Sequence, residues 1–334
     1  MPYEPPQEAP APPESSHAGL PHPGESSTQA APPGKGGRDR GGLAFEQALG
    51  RRSRMGEVAE LWRYPVKSMG GERVVSAGLG ADGLRGDRCW AVRDERRGAI
   101  TEARKMPALL SLASRYPDGD GKPAEIVLPG GGTVRTDDPG VHGTLSAALG
   151  HEVTLWPRLP ESEREHYRRA LPDGDAGRHL LELFAVESDD LLPDLSSMPA
   201  ELFTHQTMPG TYFDWAPVHL ITDRSLEALR RLAPESDVDV RRFRPNIVLR
   251  DGTDGTDGFP EQGWTGRRLR IGGAVLRITD RTPRCAMITH PQPGLAKDRA
   301  LARLVHTRLD HCLGVYATVE RPGEVSVGSE AILL

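Results

Sequence analysis

The stretch from residue 267 to residue 289 reads Arg-Arg-Leu-Arg-Ile-Gly-Gly-Ala-Val-Leu-Arg-Ile-Thr-Asp-Arg-Thr-Pro-Arg-Cys-Ala-Met-Ile-Thr. Two short apolar runs flank Gly272-Gly273, a pattern that predicts a β-hairpin. The second strand leads to Cys285, with Arg281 and Arg284 beside it in sequence. Nearby cations favour a thiolate, which acts as a nucleophile or as a ligand for a soft metal. The alternative interpretation is a buried cysteine that packs as a small hydrophobe.

Composition narrows the classes of protein that this chain can be. It has 334 residues and a net charge of -5, with acidic and basic residues mixed throughout, so nucleic-acid binding is not favoured. The three cysteines are far apart in sequence, which argues against a structural zinc site or disulfide framework and suits a reducing cytoplasm. No apolar run is long enough to span a membrane, and the N-terminal stretch contains no apolar core of the kind found in signal peptides.

The first 54 residues differ in amino-acid composition from the rest of the chain. Ten of the first 33 residues are proline, and a stretch rich in Gly and Arg follows. Such a composition buries too little apolar area to offset the entropy of ordering, so we predict a disordered tail over residues 1–54. The sequence leaves open whether Met1 or Met55 is the true start.

From residue 58 onward, short apolar runs alternate with Gly and Pro, which is typical of a β-barrel or sandwich. The predicted strands are Val58–Tyr64, Arg73–Leu79, Arg88–Val92, Ala108–Ala113, Glu125–Leu128, Thr133–Thr136, Val153–Trp156 and Pro217–Thr222, with a closing hairpin of Val315–Glu320 and Glu324–Val327. The predicted helices are Val141–Leu149, Arg178–Val186, Ser225–Ala233 with Asp223 as its cap, and Lys297–Leu309. Residues 251–258 read as a flexible loop.

Several polar residues stand where a predicted strand meets a loop. Lysine and arginine are the usual phosphate binders, although a surface cation is more often only solvated. Together with one thiolate, these residues point to an anionic, phosphate-bearing cofactor whose metal is held by sulfur. The candidates are Lys67, Ser68, Arg88, Arg244, Asn246 and Arg284. Further groups that could move protons are His205, His219, His290 and Asp214, each of which more often has a structural role.

A set of motifs over residues 56–334 resembles the family of MOSC proteins, and in particular the mitochondrial amidoxime-reducing component and its bacterial relatives. The most specific are Tyr64-Pro-Val-Lys-Ser68, Arg242-Phe-Arg-Pro-Asn246 and Arg284-Cys285, in that order. The others are Gly86-Asp-Arg-Cys-Trp90, Thr101-Glu-Ala-Arg104, Met106-Pro107, Phe213-Asp-Trp-Ala-Pro217, Leu313-Gly-Val-Tyr316 and Val327-Gly328.

The resemblance implies a β-rich α+β fold, with an N-terminal β-barrel-like domain over residues 55–175 and a MOSC β-barrel domain with a few covering helices over residues 176–334. It also implies the molybdenum cofactor, Mo-molybdopterin, with Cys285 as the metal ligand and catalytic residue. The residues that would line the pterin and its phosphate are Lys67, Ser68, Arg88, Arg244, Asn246, Arg284 and Tyr316.

The implied function is a molybdenum-dependent oxidoreductase that reduces N-hydroxylated small molecules in the cytoplasm. Electrons would come from a separate ferredoxin, flavoprotein or cytochrome, because the sequence shows no ferredoxin-like cysteine cluster. Two alternatives stay open: a sulfurtransferase that carries a persulfide on Cys285, and a non-enzymatic carrier of the cofactor. The chain departs from the family at Thr282, where relatives often have cysteine, and at His290-Pro291. Residues 157–210 and 251–258 look like insertions, so the substrate is the least determined feature.

Overall fold

The computed structural model describes residues 53–120, 122–170, 198–251 and 258–334, together with 181, 183, 184, 186 and 192–196. The predicted tail therefore lies outside the described residues, apart from Ser53 and Arg54. The same holds for most of the predicted helix over 178–186 and of the loop over 251–258.

The strands, in chain order, are β1 Ser53–Arg63, β2 Glu72–Val74, β3 Ser76–Gly80, β4 Gly83–Leu84, β5 Trp90–Asp94, β6 Ala99–Ile100, β7 Ala113–Arg115, β8 Glu125–Val127, β9 Thr133–Arg135, β10 Val153–Pro157, β11 Val218–Thr222, β12 Ile247–Asp251, β13 Arg268–Ile271, β14 Ala274–Pro283, β15 Cys312–Arg321, β16 Gly323–Ser326 and β17 Glu330–Leu333. The described α-helices are α1 Val141–Leu149, α2 Glu201–Thr204, α3 Asp223–Leu232, α4 Val240–Phe243 and α5 Arg299–Arg308. Short 3₁₀ helices span Pro107–Ser111, Arg164–Tyr167, Pro260–Gly263 and Ala286–Thr289.

Seven of the described strands close into a barrel. Their order is β12-β11-β15-β14-β13-β17-β1, and β1 pairs back onto β12 while β2 extends the sheet from β1. Closure removes the free sheet edges, and the alternating side chains fill the interior. The β-rich fold class predicted from the sequence is thereby confirmed. Interior residues include Val58, Leu61, Leu220, Ile247, Leu276 and Ala317, all buried in one cluster.

The hairpin predicted around Gly272-Gly273 is present. Strands β13 and β14 pair antiparallel, with Ile271 opposite Ala274. Gly272 adopts a φ of 53°, and a Cβ there would lie 2.8 Å from the carbonyl oxygen of Glu324. This turn therefore requires glycine for both its conformation and its close packing.

Helices α3 and α5 cover one outer face of the barrel. On β11, Leu220 belongs to the interior cluster, whereas the next residue, Ile221, belongs to the cluster that packs against the helices. Successive side chains of a strand point to opposite faces, so one strand serves both layers. The helix residues of this cluster include Leu226, Leu229, Leu301 and Val305. None of the helices in the described part of the chain has the length and apolar content that a membrane crossing needs.

Three smaller sheets, β10-β5-β6, β16-β3-β4 and β7-β8-β9, accompany the barrel. A further buried cluster joins the loop after β1 to the sheets β10-β5-β6 and β7-β8-β9 and to α1, and it includes Val66, Met69, Val92, Leu109, Ile126, Leu145 and Leu155. The boundary predicted near residue 175 falls outside the described residues, and the division into two domains stays a prediction.

The strand predicted at 108–113 is wrong in its first part. Residues Pro107–Ser111 form a 3₁₀ helix, and only Ala113–Arg115 is a strand. Proline at the first position pre-sets a helical φ, and the amide of Leu112 donates to the carbonyl of Leu109 at 3.2 Å. The continuous apolar run fits either structure, so periodicity alone does not distinguish them.

The predicted closing hairpin is also wrong. Both edges of β15 are occupied, by β14 and β11, so β16 pairs with β3 instead and places Val325 opposite Ala77. The cap of α3 differs as well, because Thr222 rather than Asp223 accepts from the amide of Ser225, at 3.1 Å.

Glu261 is a fully buried carboxyl group beneath α3. Its Oε2 accepts hydrogen bonds from the hydroxyls of Thr222 at 2.8 Å and Ser225 at 2.6 Å. Its Oε1 has no partner among the described residues. Burial raises the pKa of Glu261, and the two hydroxyls offset only part of that effect.

We predict that Glu261→Gln removes a pH-dependent destabilisation. A carboxyl group whose folded pKa exceeds its unfolded pKa stabilises the fold at low pH, and that stability is lost as pH rises through the folded pKa. The variant should match the wild type in melting temperature near pH 4 and exceed it increasingly towards pH 8. Each unit of pKa elevation corresponds to about 1.4 kcal/mol. Glu227→Gln on the exposed face of α3 is the control, and a pH-independent difference for Glu261→Gln would contradict the assignment.

Candidate functional site

One cavity collects the residues predicted from the sequence. Its lining includes Ser68, Arg88, Arg244, Asn246, Arg284, Cys285 and Tyr316. Lys67 does not line it, but its Nζ forms an ion pair with Asp214, which does. The structure therefore brings together residues that lie more than 200 positions apart in sequence.

Two loops that carry the first candidates are tied to each other by main-chain bonds. The amide of Arg88 donates to the carbonyl of Tyr64 at 2.8 Å, and the amide of Lys67 donates to the carbonyl of Trp90 at 2.8 Å. Arg244 adds a third loop, since its Nη1 donates to the carbonyl of Met69 at 2.5 Å. These bonds explain why residues after β1, before β5 and before β12 meet at one place.

Three lining residues have left-handed backbone conformations without being glycine. The φ angles are 67° at Ser68, 49° at Arg88 and 55° at Arg244. Each such conformation costs on the order of 1–3 kcal/mol and persists only where the surrounding structure imposes it. Their concentration in the lining of one cavity makes this cavity the candidate functional site.

The Arg-Phe-Arg-Pro-Asn motif divides into two roles. Arg242 is fully buried, and its guanidinium donates to the carbonyls of Asp237, Ile288, His290 and Ala296. Arg244, two residues later, lies 4.2 Å above the ring of Tyr64, and its buried Nη2 has no partner in the described structure. Burial lowers the pKa of Arg244 to about 10. Arg242 is thus a structural residue, whereas Arg244 is a cation with a donor that no acceptor in the described structure satisfies.

Arg284 repeats this pattern on another wall. Its Nη2 donates to the carbonyl of Phe243 at 2.8 Å, while its Nε is buried and unpaired in the described structure. Arg88, by contrast, is paired with Asp87 and lies 5.2 Å from the Tyr64 ring centroid.

Asn246 serves the fold first. Its Oδ1 accepts from the amide of His219 at 3.2 Å, and its Nδ2 donates to the carbonyl of Trp62 at 3.3 Å. Both ends of this side chain are therefore engaged with the backbone. Asn246 lines the cavity while it joins β11 to the end of β1.

Asp214 also lines this cavity. The sequence indicated it only as a group that could move protons. The surrounding protein raises its pKa, but the charges of Lys67, Arg88 and Arg244 outweigh this and lower the pKa to about 2. It is a carboxylate at neutral pH, and it holds Lys67, whose Nζ also donates to the carbonyl of Tyr212 at 3.3 Å. Its place in the Phe213-Asp-Trp motif was the available signal.

Cys285 is half-buried at the start of the Ala286–Thr289 helix and lines the cavity. Burial raises its pKa, and the charges of Arg104 and Arg284 pull in the opposite direction without reversing the shift. The expectation that Arg281 stabilises the thiolate is wrong, because Arg281 pairs with Asp310 instead. Arg104, which also lines the cavity, takes that place.

Aromatic and histidine side chains also line the cavity. Tyr316 stacks on Trp215 with ring centroids 5.9 Å apart and meets His219 edge-on at 5.8 Å. Burial raises the pKa of Tyr316 above its ordinary value and lowers the pKa of His219 well below its own. Both groups are therefore neutral at pH 7, and Nε2 of His219 has no partner among the described residues. His205 and His290 do not line the cavity.

Unpaired buried atoms concentrate at this site. Among the described residues, ten buried side-chain nitrogen or oxygen atoms lack a partner, and five of them belong to residues that line this cavity. These five are Arg169 Nε, Gln206 Oε1, His219 Nε2, Arg244 Nη2 and Arg284 Nε. A buried polar group without a partner costs roughly 1–3 kcal/mol, and more if it is charged. The cavity is therefore suited to a ligand that brings negative charge and several acceptors.

The sequence of this chain is similar to those of known domain families and proteins. The MOSC N-terminal beta barrel domain model matches residues 55–139, and the MOSC domain model matches residues 209–331. Human mitochondrial amidoxime reducing component 2 is 29% identical over 325 residues, which cover 86% of this chain and 88% of that protein. Human mitochondrial amidoxime-reducing component 1 is 28% identical over 331 residues, covering 88% and 89%.

Among solved structures, the YUAD protein of Bacillus subtilis matches 85% of this chain and 97% of its own, with 11% identity and a TM-score of 0.39. A TM-score of that size supports no inference about this chain. The two domain models match the segments that carry Ser68, Arg88, Arg244, Arg284 and Cys285. The chain is therefore a MOSC-domain protein that carries a MOSC N-terminal beta barrel domain, and it resembles the mitochondrial amidoxime-reducing components.

Proposed function

We propose that this protein binds the molybdenum cofactor in the cavity and reduces N-hydroxylated small molecules with electrons from a separate protein. The observation that carries the proposal is the pair of buried, unpaired guanidinium nitrogens, on Arg244 and Arg284, in the same cavity as Cys285. The relatives described above are amidoxime-reducing components, which supports the same reaction class.

The residues present fit such a cofactor. A phosphate group supplies oxygen acceptors to guanidinium donors through strong, charge-assisted hydrogen bonds. Nη2 of Arg244 and Nε of Arg284 are donors that find no such acceptor among the described residues. A thiolate is a preferred ligand for a soft metal, and Cys285 is the cysteine that lines this cavity. Cys89 and Cys312 are not among the lining residues.

Each of these residues has a definable task in the reaction. Arg244 and Arg284 would bind the phosphate, and Cys285 would hold the metal as its protein ligand. When bound, the cofactor supplies the transfer of two electrons. Reducing an N-hydroxyl group to an amine or amidine consumes two electrons and two protons and releases water. Asp214 is ionised at neutral pH and so orients Lys67 rather than donating a proton.

Proton delivery falls to groups that keep a proton at neutral pH or to solvent. Tyr316 retains its phenolic proton, since burial raises its pKa, and it lines the cavity. It is thus placed to donate a hydrogen bond to a reacting oxygen.

The electron donor is a separate protein of the ferredoxin, flavoprotein or cytochrome type in this proposal. All three cysteines are free and none pairs with another, which suits a reducing cytoplasm. The sulfurtransferase and carrier alternatives use the same cavity and differ in what Cys285 does. They are therefore separated by the chemistry of that residue.

We predict that Arg244→Ala lowers the molybdenum and pterin content of the purified protein while the chain remains folded. Loss of a charge-assisted hydrogen bond costs on the order of 1.5–3 kcal/mol, or roughly ten- to hundredfold in affinity. Arg242→Ala should instead lower the melting temperature, because four buried carbonyls lose their donor. Arg241→Ala, at a half-buried position outside the cavity lining and paired with Asp239, is the control and should change neither. If Arg244→Ala melts like Arg242→Ala, then Arg244 is structural.

We predict that Cys285→Ala abolishes reduction of benzamidoxime with a dithionite-reduced viologen as donor. The variant should keep part of its pterin, because the arginine contacts remain. Cys89→Ala and Cys312→Ala are the controls and should stay active. Activity in Cys285→Ala would contradict the metal-ligand assignment. An inactive wild type without metal whose Cys285 carries a labile sulfur would favour the sulfurtransferase, whereas an inactive wild type loaded with cofactor would favour the carrier.

A further inference from the structure

One wall of the cavity comes from a part of the chain that neither domain model matches. The models match residues 55–139 and 209–331, so residues 140–208 lie between them. Six described lining residues belong to this intervening segment. They are Arg169, Leu183, Phe184, Met198, Leu202 and Gln206. Neither domain model describes this wall, so it is the place to look for substrate selection.

Arg169 is fixed within this wall by the backbone. Its Nη2 donates to the carbonyls of Leu202 at 2.9 Å and His205 at 3.2 Å, and its own amide donates to the carbonyl of Thr204 at 3.0 Å. Its Nε is buried and has no partner in the described structure. A guanidinium held on one side and unpaired on the other is preorganised for a ligand acceptor.

Gln206 presents the complementary group. The residue is 4% exposed, and its backbone amide donates to the carbonyl of Tyr167 at 2.8 Å. Its Oε1 is buried without a donor in the described structure. The same wall therefore offers an unpaired donor and an unpaired acceptor.

The charges of the wall do not cancel. Elsewhere in the cavity lining, Arg104 forms an ion pair with Glu102. Arg169 has no carboxylate within ion-pair distance among the described residues, so the wall carries one positive charge that is not paired there. The remaining side chains, Phe184, Met198 and Leu202, are apolar.

We propose that this wall is a substrate subsite that selects N-hydroxylated compounds with an apolar body and a carboxylate. Arg169 binds the carboxylate, Gln206 accepts a hydrogen bond from an N–H or O–H of the same compound, and the apolar residues cover the hydrocarbon. This inference rests on the proposed function for the N-hydroxyl group. The shape and charge of the wall concern only how the compound is held.

The test uses benzamidine and its 3- and 4-carboxylated derivatives, which lack the N-hydroxyl group and are not reduced. Calorimetry on the full-length protein should show at least one carboxylated isomer bound about tenfold or more tightly than benzamidine, as expected for a charge-assisted hydrogen bond. Arg169→Gln should remove that preference, and Arg169→Lys should keep part of it. Arg168→Gln is the matched control, because this neighbouring arginine is exposed and paired with Glu165 outside the cavity.

Gln206→Met gives an independent measurement if Arg169→Gln does not fold. It removes the acceptor with little change in volume, so it should weaken the parent compound and the preferred isomer equally and leave their ratio unchanged. No preference in the wild type, or a preference that survives in folded Arg169→Gln, would overturn the proposal. So would a loss of molybdenum in Arg169→Gln, which would make Arg169 a cofactor contact. Because these probes are not reduced, a failure to reduce benzamidoxime would contradict the proposed function and not this subsite.

Discussion

The unpaired guanidinium nitrogens of Arg244 and Arg284 are the constraint on which the site depends. Arg244 donates one hydrogen bond to the carbonyl of Met69, and Arg284 donates one to the carbonyl of Phe243. Each guanidinium has another buried nitrogen without an acceptor among the described residues. A buried charge without compensation is among the most expensive features a fold can contain. An anionic ligand that accepts hydrogen bonds from these nitrogens removes that cost. The two arginines are therefore best explained as part of a binding site for such a ligand. Arg242, two residues before Arg244, is a buried arginine whose guanidinium donates to four backbone carbonyls.

The closed barrel allows the molecule to maintain this arrangement. Its ring of seven described strands fixes the ends of β1, β12 and β14, so the loops that leave them are held by a rigid frame. Those loops carry left-handed residues at Ser68 and Arg244 that an isolated peptide would not populate. Strain of this kind is retained only where packing over-determines the backbone. The stability of the barrel core therefore holds Ser68 and Arg244 in their strained conformations. Those conformations in turn fix the orientation of the Arg244 side chain.

Local patterns in the sequence predicted much of this fold. The hairpin at Gly272-Gly273, the strand of β11 and the helix α5 all follow from signals within a few residues. The pairing of β16 with β3 was not predictable in that way, because it depends on β15 having both edges occupied. The same holds for the 3₁₀ helix at Pro107–Ser111, where a continuous apolar run fits two structures.

The candidate site shows the same division. Motifs singled out the lining arginines and Cys285, because their residue types and order are specific. Sequence proximity placed both Arg281 and Arg284 beside Cys285. In the structure, the charge of Arg104, from a loop 181 positions earlier, acts on Cys285 together with that of Arg284. Sequence proximity on an irregular strand does not determine which way a long side chain turns, and Asp310 captures Arg281. The wall built by Arg169 and Gln206 carries no motif, so only the structure reveals it.

The most direct test of this account is the molybdenum and pterin content of the wild-type protein made in a host that synthesises the cofactor. The account predicts equimolar molybdenum, pterin and protein, with a melting temperature that falls when the cofactor is removed, since a ligand that binds only the folded state stabilises it. A folded chain that contains neither molybdenum nor pterin after such expression would contradict the claim that the unpaired arginines exist to bind this cofactor.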